Sequence, residues 1–252
     1  MSKAYTAFAE VYDRMMHDVD REAWVAYLDG FLKEAGAREV LDCACGTGAT
    51  AIRLFHLGYR VIGNDVSPEM LMQARNNAFA ARAKQIIFIC EDMRKLKIHR
   101  PVDALICVCD GVNYLTDPYD VDSFFAHAAG ALHPNGVLLF DVSSPYKFEN
   151  VLGGNTFTEE AEEYAYIWRN NYDPKSKLCE MTLTGFVKNG AQYDRFTETH
   201  LQRAHSVEEL KGALNRAGFT DIQVFGAFTR KDPRPDSERL QFVARKGNRN
   251  EA

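Results

Sequence analysis

The sequence predicts a doubly wound α/β fold: a seven-stranded, mostly parallel sheet carrying an antiparallel β insert. Three observations lead there. Short apolar runs alternate with segments of helical period through the first 140 or so residues, the pattern of a parallel sheet with right-handed crossovers. The fourth of these runs, Val102 to Cys109, is nearly all apolar, as a strand buried on both faces should be. From about Pro145 the period switches to two, and the helix-and-strand pattern resumes at Ser206.

Taken in order, residues 21 to 35 place Trp24, Leu28, Phe31 and Leu32 at helical spacing, and a shorter helix is expected over Tyr5 to Asp13. Arg38 to Cys43 reads as the first strand, and Gly48 to His56 as a helix stopped by Gly58. Tyr59 to Asn64 is the second strand; Ser67-Pro68-Glu69 then supplies an N-cap and a proline at the first helical position. Gln85 to Cys90 and Val102 to Cys109 are the third and fourth strands. A helix over Val121 to Leu132, a turn at His133-Pro134-Asn135-Gly136 and a fifth strand over Val137 to Asp141 complete the run.

In the region of period two, Tyr164, Tyr166, Trp168 and Tyr172 share one strand face. Cys179, Met181, Leu183 and Val187 alternate next, and Asn189-Gly190 is a hairpin turn leading into a returning strand over Ala191 to His200. Ser206-Val207-Glu208-Glu209 is a capping box for a helix ended by Gly218. Phe219 to Phe228 and Leu240 to Arg245 supply the last two strands of the seven.

The 252 residues can bury a full core without disulfide or metal staples. At 46% apolar and 26% charged the chain is neither disordered nor fibrous. A net charge of −5 with scattered basic residues argues against a nucleic-acid partner. The N-terminus lacks the apolar region of a secretory signal, and no apolar run is long enough to span a bilayer, so a cytoplasmic protein is expected. Six cysteines, mostly in strand-like runs, fit reduced buried thiols. Their C-x-C pairs lack zinc-ligand spacing, and no metal is expected.

The stretch Val40-Leu41-Asp42-Cys43-Ala44-Cys45-Gly46-Thr47-Gly48 organises the chain. A strand enters a turn of tiny residues that opens a helix, which lets a ligand meet bare backbone N–H groups at a positive helix end. Gly46-Thr47-Gly48-Ala49-Thr50-Ala51 satisfies the dinucleotide pattern G-x-G-x-x-G/A, so a nicotinamide dinucleotide is one reading. Asp42 favours another. Phosphate has no use for a carboxylate in that strand, whereas a ligand bearing an ammonium group does.

Here the resemblance is plain. The Val40–Gly48 stretch resembles motif I of the class I S-adenosylmethionine-dependent methyltransferases, and Val61-Ile62-Gly63-Asn64-Asp65-Val66-Ser67-Pro68-Glu69-Met70-Leu71 resembles their second motif. Glu91-Asp92-Met93 and His133 to Asp141 match the later ones, so the likeness covers roughly residues 38 to 142. It implies the strand order 3-2-1-4-5-7-6, the seventh strand antiparallel. Ala44 stands where the family pattern has a glycine, and the added methyl implies a turn that avoids positive φ there.

Carried over by position, the resemblance implies that Asp42 and the backbone from Ala44 through Gly46 to Gly48 hold the methionine end of S-adenosylmethionine. Asp65 would accept both ribose hydroxyls and Val66 would pack on the adenine. Asp92 and Met93 would meet the adenine amino edge, with Val108 and Cys109 lining the other side. It further implies three regions: an N-terminal helical lid over residues 1–35, a methyltransferase core over 36–145 and 205–246, and a β insert over the active site at 146–204.

The segment from Tyr5 to Asp13, with Trp24, resembles small-molecule N-methyltransferases, the glycine/sarcosine and amino-sugar enzymes above all. There a lid residue reaches the cofactor carboxylate, and Tyr12 is the implied one; packing of the lid is the blander alternative. Asp110 and Tyr114, just past the fourth strand, stand where this family meets its acceptor. Asp110 would orient an amine or take its proton, and Tyr114 would wall the transfer site, unless both are only loop structure. Asp141-Val142-Ser143-Ser144-Pro145 contains no arginine for a substrate carboxylate, which argues against glycine. The aromatic face of the insert would cap the pocket, build a homodimer contact or pack a core. The expected partner is a small-molecule acceptor, an amine in preference to a hydroxyl. An RNA or protein methyltransferase, an NAD-dependent oxidoreductase and a non-enzymatic cofactor-binding scaffold are the alternatives.

Overall fold

The computed structural model describes residues 12–15 and 20–247. The expectations for Tyr5 and for the rest of the N-terminal helix up to residue 11 lie outside the described residues; 12–15 are helical.

The main sheet has seven strands: β1 (Glu39–Cys43), β2 (Arg60–Asp65), β3 (Ile87–Cys90), β4 (Val102–Cys107), β5 (Leu132–Ser143), β10 (Phe219–Gly226) and β11 (Arg239–Lys246). Their spatial order is β10-β11-β5-β4-β1-β2-β3, with β11 antiparallel to β5, as the resemblance implies. The crossover helices are α2 (Ala49–His56), α3 (Pro68–Ala80), α4 (Pro118–Ala131) and α5 (Val207–Arg216), and α1 (Arg21–Glu34) precedes β1. Two buried clusters sandwich the sheet. One joins β4, β5 and β11 to α4 and α5 through Phe124, Phe125, Phe140 and Phe242. The other packs Trp24, Leu28, Phe31 and Leu32 of α1 against Val40, Val61 and Ile106. The caps are as the sequence predicts: Ser67 accepts from the Met70 N–H and Ser206 forms a complete capping box with Glu209.

Three local differences have physical causes. The His133–Gly136 turn is absorbed into a longer β5, where the ladder to β4 slips between the Leu132 and Val137 pairs. The chain between β5 and the insert forms a helical turn at Lys147–Leu152, because Phe148 and Leu152 are buried on Cys179 and Met181. The insert has four strands where three are expected: β6 (Thr156–Glu160), β7 (Tyr164–Asp173), β8 (Leu178–Asn189) and β9 (Gln192–Arg203). β6 is a polar edge strand closed onto β7, so only half of it meets other side chains. The β7 aromatic stripe serves chiefly as core: Tyr172 stacks on Phe148 at 5.9 Å and Trp168 packs on Phe157 at 5.5 Å.

Candidate active site

Because β1 and β4 are neighbours while their crossovers run opposite ways, a crevice opens at the carboxyl ends of the strands at that point. Asp42 is the next-to-last residue of β1, Asp65 ends β2, Asp92 follows β3, and Cys109 and Asp110 follow β4. The expected cofactor residues therefore line one edge of the sheet.

The turn after β1 is held open by positive φ. Gly46 is at +54° and Gly48 at +78°, and a Cβ on Gly48 would lie 3.2 Å from Ala74 Cβ. Ala44 corrects an expectation: its φ is +55°, so the substituted alanine adopts the left-handed conformation that glycine would. That costs an L-residue about 1–2 kcal/mol, a strain the surrounding turn sustains. Cys45 N–H donates to the Asn64 carbonyl at 2.9 Å and pins the turn to β2.

Two carboxylates face this turn in different states. Asp42 is fully buried and neither oxygen has a hydrogen-bond partner. Burial and the neighbouring Asp65 push its pKa up to about 8, against a weak downward pull from the Ala51 backbone. Asp65 accepts from the Gly46 N–H at 2.8 Å and the Ser67 N–H at 2.9 Å, one bond per oxygen. Each oxygen keeps a lone pair for a further donor, the geometry a ribose diol requires. Burial raises its carboxyl, the backbone donors opposing that. Beside it Val66 is 67% exposed, a free apolar platform.

The expected adenine edge is less open. Asp92 caps the short Met93–Lys95 turn and receives the Arg94 Nε at 2.9 Å and 3.0 Å. Arg94 also reaches Asp120 at 2.8 Å. The Arg94 hydrogen bond, foremost, holds the Asp92 carboxyl below its ordinary value. An adenine amino group would share this carboxylate with Arg94. Met93 packs partly buried on the core. Val108 is buried in the same cluster as Trp24, while Cys109 is only partly covered.

Asp110 sits at φ +65° and is committed to a partly buried network. Its Oδ1 accepts from Arg239 at 2.6 Å and from the Ser143 hydroxyl at 3.0 Å. Arg239 also pairs with Asp141, which receives the Cys109 N–H at 2.7 Å. Burial would raise the Asp110 carboxyl, but Arg239, Lys147 and Ser143 outweigh it and hold it below the ordinary value. A carboxylate so held is a poor proton acceptor, which corrects the expectation that Asp110 takes a proton; it anchors the turn bearing Tyr114. Arg239 also answers the absence of arginine after β5: β11 brings one to that place, already neutralised by two aspartates.

Tyr114 is half-exposed, and its hydroxyl lies 3.3 Å from His200 Nδ1 on β9. Tyr12 lies near Cys109, Tyr114 and Asp110, and burial, foremost, raises its phenol well above the usual range. Sequence reasoning missed the neighbouring residue. Asp13 accepts from the Thr47 hydroxyl at 2.7 Å and the Asn77 amide at 3.0 Å, and pairs with Arg21 at 3.0 Å. It fastens the 12–15 segment onto the glycine turn. A carboxylate directly after Tyr12 was the available signal.

Of the six cysteines, Cys43, Cys107 and Cys179 are buried and Cys90 is exposed; all are free thiols. Among the described residues no group of His, Cys, Asp or Glu is placed to hold a metal. Nor is any described helix long and apolar enough to cross a membrane.

A seven-stranded sheet with antiparallel β11, a glycine turn, an orphaned carboxylate behind it and an acid ending β2 together define an S-adenosylmethionine-dependent methyltransferase. Comparison with known proteins agrees, and the chain belongs to that family. Residues 40–136 match the family model described as a methyltransferase domain. The chain is 39% identical to YqeM of Bacillus subtilis (strain 168), named as a methyltransferase, over 96% of this chain and 97% of that one. It is 32% identical to a glycine/sarcosine N-methyltransferase of Parasynechococcus marenigrum, over 91% and 80%. An S-adenosylmethionine-dependent methyltransferase from Clostridium acetobutylicum superposes with a TM-score of 0.88 at 30% identity, covering 97% and 99%. The dinucleotide reading of the glycine turn falls with this membership.

Proposed function

We propose that the chain transfers the methyl group to the nitrogen of a small amine. The observation that carries this reading is the sign of the charge around the acceptor end. Asp110 and Asp141 stand at that end with Arg239 paired between them and Lys147 nearby, and Asp42 and Asp65 add acidic groups on the cofactor side. Such a place suits a cationic or amine-bearing acceptor and repels a polyanion. That relatives are named glycine/sarcosine N-methyltransferases supports nitrogen as the acceptor atom.

When bound, S-adenosylmethionine supplies a methyl group already activated on a sulfonium, ready for in-line displacement by an amine lone pair. The chain's part is then to bind and align. Asp42 would face the ammonium of the methionine end, Asp65 the ribose diol and Val66 the adenine. The Gly46–Gly48 backbone would let the ligand approach, and Tyr12, held over the turn by Asp13, would close the pocket. Alignment and exclusion of water supply most of such a rate enhancement, so no strong nucleophile–base pair is required. The test is a screen of S-adenosylhomocysteine release across amines, alcohols and RNA. Turnover confined to amines is expected; turnover on RNA that falls steeply with salt would overturn the reading.

A further inference from the structure

We propose that Glu198 binds the ammonium group of the methyl acceptor, at a site on the inner face of β9; the proposal rests on the amine reading above. Along β9, Phe196, Glu198 and Gln202 are buried while Thr197, Thr199 and Leu201 are exposed, so Glu198 points with the apolar set. It is 4% exposed and its Oε1 has no hydrogen-bond partner. Directly across the ladder stands Leu183, which with Phe196 forms a small cluster against Tyr12, Met70 and Tyr166.

A carboxylate among such neighbours costs free energy that leucine or methionine at the same place would not. Among the described residues no lysine or arginine forms a salt bridge with Glu198 to offset that cost. The charged group facing it is another acid, Glu69 at the head of α3, and burial together with Glu69 raises the Glu198 carboxyl. What the place lacks is a cation with N–H donors. The aromatic faces of Tyr12 and Tyr166 suit the same ligand, since a ring face attracts a cation.

The position is the one an acceptor needs. Glu69 lies four residues beyond Asp65, the ribose acid. His200, two residues along β9 from Glu198 and about 7 Å away by strand geometry, reaches Tyr114 beyond β4. The inner face of β9 therefore runs from the ribose end of the crevice to the Tyr114 turn. The ligand class that follows is a small amine that enters as the ammonium ion and passes one N–H proton to the Glu198 carboxylate, which frees the nitrogen lone pair for transfer, with no carboxylate or phosphate beside it.

Thermal unfolding tests this without knowledge of the natural acceptor. The protein saturated with S-adenosylhomocysteine is titrated with methyl-, ethyl-, butyl- and tetramethylammonium chloride, with the matching alcohols and sodium chloride as controls. Wild type is expected to gain stability from alkylammonium ions and not from alcohols. In Glu198→Gln the apparent Kd for the ammonium ion should rise about tenfold or more, and Glu198→Asp should retain part of the response, while affinity for S-adenosylhomocysteine stays unchanged in both. The Asp variant guards against a folding defect in the Gln variant. An equal response in wild type and Glu198→Gln, or no ammonium response in a wild type that binds S-adenosylhomocysteine, overturns the proposal. Failure of wild type to bind S-adenosylhomocysteine would instead remove the reading beneath it.

Discussion

The Asp42 carboxyl should make cofactor affinity depend on pH. Its folded-state value of about 8 means that near neutrality the ligand-free protein holds it mostly protonated. An ammonium group brought to the glycine turn favours the ionised form, so binding releases a proton and affinity rises with pH. Below about pH 8 this contribution approaches tenfold per unit, about 1.4 kcal/mol. The sign for stability is the reverse. A folded-state pKa above the unfolded value of 3.8 means that the ligand-free fold is most favoured with the carboxyl protonated. It loses that advantage as pH climbs from about 4 to about 8. The assay is titration calorimetry of S-adenosylmethionine with wild type and Asp42→Asn between about pH 6 and 8, in buffers of different ionisation enthalpy. Titration of the ligand itself is common to both proteins, so the ratio of their affinities isolates Asp42. Wild type should show proton release that the variant lacks, and the affinity ratio should widen with pH. A ratio constant across the range would refute the argument that an orphaned acid waits behind the turn.

Three further outcomes follow from the same geometry. Asp65→Ala removes the diol acceptor and the two bonds that brace the turn. S-adenosylmethionine should bind at least about tenfold more weakly, and unchanged affinity by calorimetry in a folded variant would sink the assignment. Asp13→Asn should raise the KM for S-adenosylmethionine several-fold at nearly constant melting temperature, because it loosens the lid rather than the core; an unaltered KM would show that the clamp is idle. Asp110→Asn leaves Arg239 with one buried partner and should cost about 1.5 kcal/mol of stability in denaturant titrations, with turnover reduced more than cofactor binding. A variant as stable and as active as wild type would remove both the network and the positioning role.

Features set by their own segment were legible in the sequence: the caps at Ser67 and Ser206, the glycine turn, and the placement of acids at the carboxyl ends of β1 and β2. Ala44 was misjudged because propensity speaks for the residue alone, whereas its φ is imposed by a turn whose ends are fixed to β1 and β2. Arg239 was invisible for a different reason. Its partners lie 129 and 98 residues earlier, and only closure of the seventh strand beside β5 brings them together. β6 reads as polar chain because it is an edge strand. Glu198 would pass for a solvated charge in the run Thr197-Glu198-Thr199-His200, since alternation shows that two faces exist but not which is buried. Long-range pairing decides that question, and it turns a commonplace surface glutamate into an unpaired acid inside an apolar cluster. The donor side of this enzyme is thus written in local motifs. The proposed acceptor side is assembled by tertiary contacts among the 12–15 segment, the turn after β4 and β9. That is why the cofactor can be named from the chain while the acceptor has to be argued from charge and burial.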